Sequence, residues 1–62
     1  MENKYSGMTV NERLYVSGLI NEFDKAVKEK DVGKVRSILN EVDIRDEESI
    51  EAILKQEGLI TI

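Results

Sequence analysis

The sequence predicts an all-α fold, a three-helix bundle in which one long helix precedes two short ones. Apolar residues recur at helical spacing through most of the 62-residue chain, and no proline interrupts them. Polar breaks with N-cap residues (Thr9, Asp31 and Asp46) precede three such apolar runs. No strand pairing is evident for the apolar tail at residues 59–62.

Residues 1–8 are polar, contain Gly7 and lack periodicity, so they read as a flexible N-terminal arm in front of one helical domain over residues 9–62. Thr9 with Glu12 forms the T-x-x-E capping box, in which each side chain satisfies the other residue's free backbone N–H. From there Tyr15, Val16, Leu19, Ile20, Phe23, Ala26 and Val27 occupy an arc of roughly 140°, a core-facing stripe for a helix over residues 10–30. Asp31 caps a second helix over 32–42, with Val35, Ile38, Leu39 and Val42 inward. It is too short to persist alone, so the tight turn at Lys30-Asp31 must fold it back on the first. Asp46 opens a third helix over 46–57, with Glu47 and Glu48 where the helix dipole favours negative charge. Ile50, Ile53 and Leu54 point inward. Gly58 reads as the left-handed residue of a Schellman motif, with Leu59 as its apolar closing contact.

Composition narrows function by exclusion. With no Cys and no His, the chain has no disulfide framework, no N/S ligands for zinc or haem, and no thiol or imidazole for catalysis. Its four serines have no His partner, and its scattered glycines form no phosphate loop. A calcium loop from Asp43 would need Gly and Glu where Glu48 and Leu54 stand. The acidic residues 46–51 read as a helix start rather than a metal site. The expectation is therefore no enzyme, no metal and no cofactor. No apolar run is long enough to span a membrane, and residues 1–8 lack the apolar core of a secretory leader, which makes the cytosol the default compartment.

Charge is bipolar. Residues 1–40 carry seven basic and six acidic side chains; residues 41–62 carry two and seven, and the chain totals −4. The basic pole is Lys25, Lys28, Lys30, Lys34 and Arg36. The cluster straddles a helix end and a loop, lacks an exposed aromatic stacker and sits in an acidic protein, which weighs against nucleic acid as its partner.

On a continuous first helix Val10, Leu14, Ser17, Gly18 and Asn21 fall on the side away from the main stripe. Glycine inside a helix costs about 1 kcal/mol relative to Ala. Small Ser17-Gly18 beside Leu14 would admit another backbone: the 59–62 tail, a second copy or a different protein. The candidate partner surface is thus Val10, Leu14, Ser17 and Gly18, together with the acidic Asp46, Glu47, Glu48 and Glu51.

The stretch Asn11-Glu12-Arg13-Leu14-Tyr15-Val16-Ser17-Gly18-Leu19, followed by Glu22-Phe23-Asp24-Lys25-Ala26-Val27, resembles a group of small bacterial proteins with the pattern N-E-R-L-Y-x-S-G-L near the N-terminus. With the Lys30-Asp31 turn, the resemblance covers about half the chain. It implies a bacterial, cytosolic single-domain protein and carries over no activity and no site residues.

A chain this short buries only about 60% of its unfolded surface, so without staples it needs tight local packing, self-association or a partner. The expected function is a non-catalytic protein–protein interaction or regulatory module, binding an unknown protein or itself as a homodimer. The alternatives are a nucleic-acid-binding regulator using the basic cluster and a small subunit of a larger enzyme.

Overall fold

The computed structural model describes residues 5–60, which are all-helical in regular structure. Among them are four helices, not three: α1 Val10–Ser17, α2 Ile20–Lys28, α3 Val32–Glu41 and α4 Glu47–Gln56. The expected continuous helix over residues 10–30 is broken at Gly18. That residue adopts φ +79°, its N–H donates to the Tyr15 carbonyl at 3.2 Å, and the Leu19 N–H donates to the Leu14 carbonyl at 3.0 Å. The pair of bonds is a Schellman motif, which satisfies the last carbonyls of α1 as the chain turns.

The break has a packing reason. Residues 14 and 23 are separated by about 180° on an uninterrupted helix at 100° per residue, so one core could not receive both. With the turn at Gly18, Leu14 (0% exposed) and Phe23 (5%) enter the same core. This corrects two expectations. Gly18 is present for its left-handed backbone rather than for close approach, since an added Cβ would meet nothing within 4 Å. The inward and outward faces of α1 are also exchanged: Leu14 is buried, while Tyr15 and Val16 are 76% and 58% exposed.

The same device ends the other three helices. Lys30 (φ +56°) donates to Val27 at 3.0 Å, and Asp31 donates to Ala26 at 2.9 Å. Asp43 (φ +64°) donates to Asn40 at 3.1 Å, and Ile44 donates to Leu39 at 2.9 Å. Gly58 (φ +74°) donates to Lys55 at 3.1 Å, and Leu59 donates to Leu54 at 2.9 Å, as the Gly58-Leu59 pair predicts. Leu59 and Ile60 pack against the core, which locates that part of the tail; residues 61 and 62 lie outside the described segment.

Helix starts follow the sequence closely. The Thr9–Glu12 capping box is complete, with Thr9 N–H to Glu12 Oε1 at 2.9 Å and Glu12 N–H to Thr9 Oγ1 at 3.2 Å. Asp31 accepts the Lys34 N–H at 3.1 Å, and Asp46 accepts the Ser49 N–H at 3.0 Å. Only α2 starts without a side-chain cap, because it begins directly out of the Gly18 turn.

Each helix packs on its neighbour in the chain, most extensively α2 on α3. Leu14, Phe23, Ala26, Val35, Ile38, Leu39, Ile50 and Leu54 form the core, joined by Tyr5, Val42 and Ile44 from outside the helices. Within the expected arm, Tyr5 therefore packs into the core. The Tyr5 carbonyl accepts the Met8 N–H at 3.0 Å, and the Arg13 guanidinium lies 5.9 Å from the centre of the Tyr5 ring. Arg13 Nε also donates to the Met8 carbonyl at 3.1 Å, and its Nη1 donates to the Val42 carbonyl at 2.9 Å. One side chain therefore ties the N-terminal segment to the C-terminal end of α3, where a cation complements the helix dipole. Residues 1–4 of the arm lie outside the described segment.

Left-handed residues give the first test. Gly18→Ala places a Cβ at positive φ and should destabilise by about 1–2 kcal/mol. Lys30→Gly relieves the same conflict and should stabilise by up to about 1 kcal/mol. Urea melts followed by circular dichroism check both signs; equal or reversed effects would refute the assignment of these turns.

Candidate interaction surfaces

The acidic residues singled out from the sequence are mostly engaged within the chain. Arg36 of α3 and Glu47 of α4 form a two-bond pair at 2.6 and 3.0 Å. Lys55 reaches Glu51 one turn away at 3.3 Å, and Arg45 reaches Asp43 at 3.0 Å. Asp46 is occupied as the cap of α4. Glu48 is exposed and, among the described residues, forms no ion pair. The basic and acidic poles therefore meet at Arg36–Glu47. The pair bridges α3 and α4, and because it is exposed it contributes little energy. Lys25, Lys28, Lys30 and Lys34 remain exposed, leaving the basic cluster without its arginine.

These contacts set the charge states. Hydrogen bonding to Arg36, followed by its positive charge, holds the Glu47 carboxyl below the usual range, and the guanidinium is raised in return. Ser49, through its side chain and then its backbone N–H, lowers Asp46. The Thr9 backbone N–H, followed by its hydroxyl, lowers Glu12. Each group is stabilised in its charged form by the partner that positions it.

The apolar half of the candidate surface is reassigned. Val10 is half-buried and packs on the core, and Leu14 lies wholly beneath the surface. The Ser17 hydroxyl donates to the Leu14 carbonyl at 3.1 Å, within α1 itself. Gly18 is exposed at the turn. In their place Tyr15 and Val16 project from α1 as the exposed large hydrophobic residues among those described. Periodicity places that pair in the core only for a helix that continues past Ser17, and α1 ends there.

Three concave regions border the helices. A cleft of about 280 Å³ separates α1 from α4, lined by Val10 and Ile53 and bordered by Arg13, Asp43, Asp46 and Ser49. It adjoins a second of about 270 Å³ that reaches Gln56 and Glu57. A wider groove of about 520 Å³ runs between α2 and α3. Leu19 and Ile38 form its apolar lining, with Gly33, Ser37, Lys34 and Glu41 on the α3 side and Glu22 on the α2 side. Among the described residues no carboxylate, lysine or arginine is buried, and no three metal-ligating side chains converge. None of the described helices is long and apolar enough to cross a membrane.

Compared with family models, curated proteins and solved structures, the chain matches none of them.

Burial and charge yield separate tests. Leu14→Ala should cost about 2–5 kcal/mol, which approaches the whole stability of so small a domain, and so should unfold much of the population. A folded, equally stable variant would return Leu14 to the surface. Glu12, Asp46 and Glu47 have folded-state pKa values below their ordinary 4.5, 3.8 and 4.5, so their stabilisation is complete above about pH 5 and is lost as pH falls through the folded values. The triple variant Glu12→Gln, Asp46→Asn, Glu47→Gln keeps hydrogen-bonding groups but removes the titration. Its melting temperature should fall less between about pH 5 and pH 3 than that of the wild type. Parallel curves would show that these three carboxyls do not govern the acid limb.

Proposed function

We propose that the chain is a non-catalytic protein-interaction module whose contact face is the outer side of α1, centred on Tyr15 and Val16. The observation that carries this reading is the division of labour over residues 12–19. Glu12 caps, Arg13 bridges two carbonyls, Leu14 fills the core, Ser17 bonds back to Leu14, Gly18 turns the chain and Leu19 packs on the core. Tyr15 and Val16 alone in that stretch serve no internal contact of this kind and face solvent.

An exposed tyrosine offers large contact area at low entropic cost and is among the residues enriched at the centre of protein interfaces, and Val16 beside it extends the apolar patch. The acidic residues fit a supporting role, since Glu47 and Glu51 already answer Arg36 and Lys55 and leave Glu48 to meet a basic partner. Nucleic acid is the weaker reading because Arg36, the residue best suited to phosphate, is held by Glu47. Together with the resemblance drawn from residues 11–27, the reading is of a bacterial cytosolic protein that works by surface rather than by chemistry.

The test is a paired capture experiment. Tagged wild-type chain and the Tyr15→Ser/Val16→Ser variant are incubated with native bacterial lysate at low and high salt, and any retained protein is purified and titrated. A partner bound about tenfold or more weakly by the variant, with the variant's thermal melt unchanged, is the expected result. Equal retention by both chains, or none by the wild type, would remove α1 as the contact face.

A further inference from the structure

The groove between α2 and α3 has a property that α1 lacks: its α3 wall is complementary to itself. Lys34 and Glu41 both line it and are both exposed, and among the described residues neither forms an ion pair. They are seven residues apart, so on a helix they share one face and stand about 10.5 Å from each other along the axis. Ser37 lies at the midpoint of that span, and Gly33 precedes it by one turn; both line the groove, and a Cβ at Gly33 would meet only its own cap, Asp31 Oδ1, at 3.7 Å. The wall is therefore low at Ser37 and again at Gly33 beyond Lys34, with opposite charges at Lys34 and Glu41.

We infer that this groove receives α3 of a second copy of the chain, in an antiparallel arrangement about a two-fold axis at the level of Ser37. In such an isologous contact, residue i meets residue j of the partner and j meets i. Lys34 of each copy then faces Glu41 of the other, giving two reciprocal ion pairs. Ser37 meets its own counterpart, where small side chains permit close helix approach. The half-buried Leu19 and the edge of Ile38 are covered in the same step. A parallel arrangement would set like charges against each other, so the charge pattern selects the antiparallel one. The contact is small and its ion pairs are exposed, so the dimer belongs to the weak, concentration-dependent class. The inference rests on the reading of the chain as a protein-binding module, but it uses a different face from Tyr15 and Val16.

Sedimentation equilibrium on the full chain over a concentration series reaching the millimolar range tests it. The mass should rise with concentration from 7.1 kDa toward twice that value. Lys34→Glu and Glu41→Lys each convert both pairs to like charges and should each weaken dimerisation about tenfold or more. In an equimolar mixture of the two single variants, every contact between unlike chains sets an acid against a base again, so association should be restored. The double variant, which exchanges the two charges within one chain, should recover in the same way. Thermal melts confirm that all of these chains are folded. A wild type that stays monomeric throughout overturns the inference, and so do single variants that dimerise as well as the wild type or a mixture that fails to recover. None of those outcomes touches capture through Tyr15, so the two readings fail separately.

Discussion

The constraint on which this structure depends is the left-handed residue at the end of each helix. The four short helices among the described residues leave many terminal carbonyls, and a small chain with no cysteine for a disulfide has little spare stability to leave them unpaired. Gly18, Lys30, Asp43 and Gly58 each reverse the backbone hand for one residue, so that the next N–H reaches a carbonyl five positions back. Where that next residue is apolar, as at Leu19, Ile44 and Leu59, the same step returns a hydrophobic side chain to the core. At Lys30 the next residue is Asp31, which at once becomes the cap of α3. Satisfying the backbone and redirecting the chain are one event.

What those turns cannot supply is a link between elements far apart in sequence, and there a single cation acts. Arg13 reaches Val42, twenty-nine positions on, and lies over Tyr5 on its other side. Arg36 with Glu47 does the equivalent for α3 and α4 at the surface. Both use the planar, multi-donor geometry of guanidinium, which a lysine at either place would not reproduce. Among the described residues the lysines, by contrast, are all exposed: Lys25, Lys28, Lys30, Lys34 and Lys55.

The parts of the fold that are local are legible in the sequence: all three side-chain caps, the Gly58-Leu59 stop, and α3 and α4 to within a residue or two. The break at Gly18 is equally legible in principle. Leu14 to Leu19 and Leu54 to Leu59 share the same L-x-x-x-G-L spacing, yet only the second stands at the end of its apolar stripe. Helical periodicity conceals the first, because residues 15, 16, 19, 20 and 23 fit one stripe whether or not the helix continues. The deciding signal is the second apolar pair, Val10 and Leu14, about 180° out of phase with Phe23. Two stripes on opposite sides of one helix require either two cores or a turn between them, and a glycine between them favours the turn. Tyr5 and Arg13 are not legible, since nothing local announces that a residue in a polar N-terminal stretch will dock under a guanidinium from the next helix.

The same concealed break misplaces the candidate surface, and its correction separates folding from recognition. Leu14, a contact residue on a continuous helix, belongs wholly to the core, whereas Tyr15 and Val16, core residues on that helix, belong to the surface. Their side chains, like those of Lys34 and Glu41, take part in no closing turn or cap. Since the fold is maintained by backbone hand, caps and a continuous apolar cluster, these exposed positions can change with little effect on stability. A small domain that recognises partners has few positions of that kind, because most of its residues must serve the core or its turns. Here they fall on two helices: an aromatic–aliphatic pair on α1 and a charge-bearing wall on α3. On the proposed reading, that separation would let one chain hold a copy of itself through α3 while α1 stayed open to another protein.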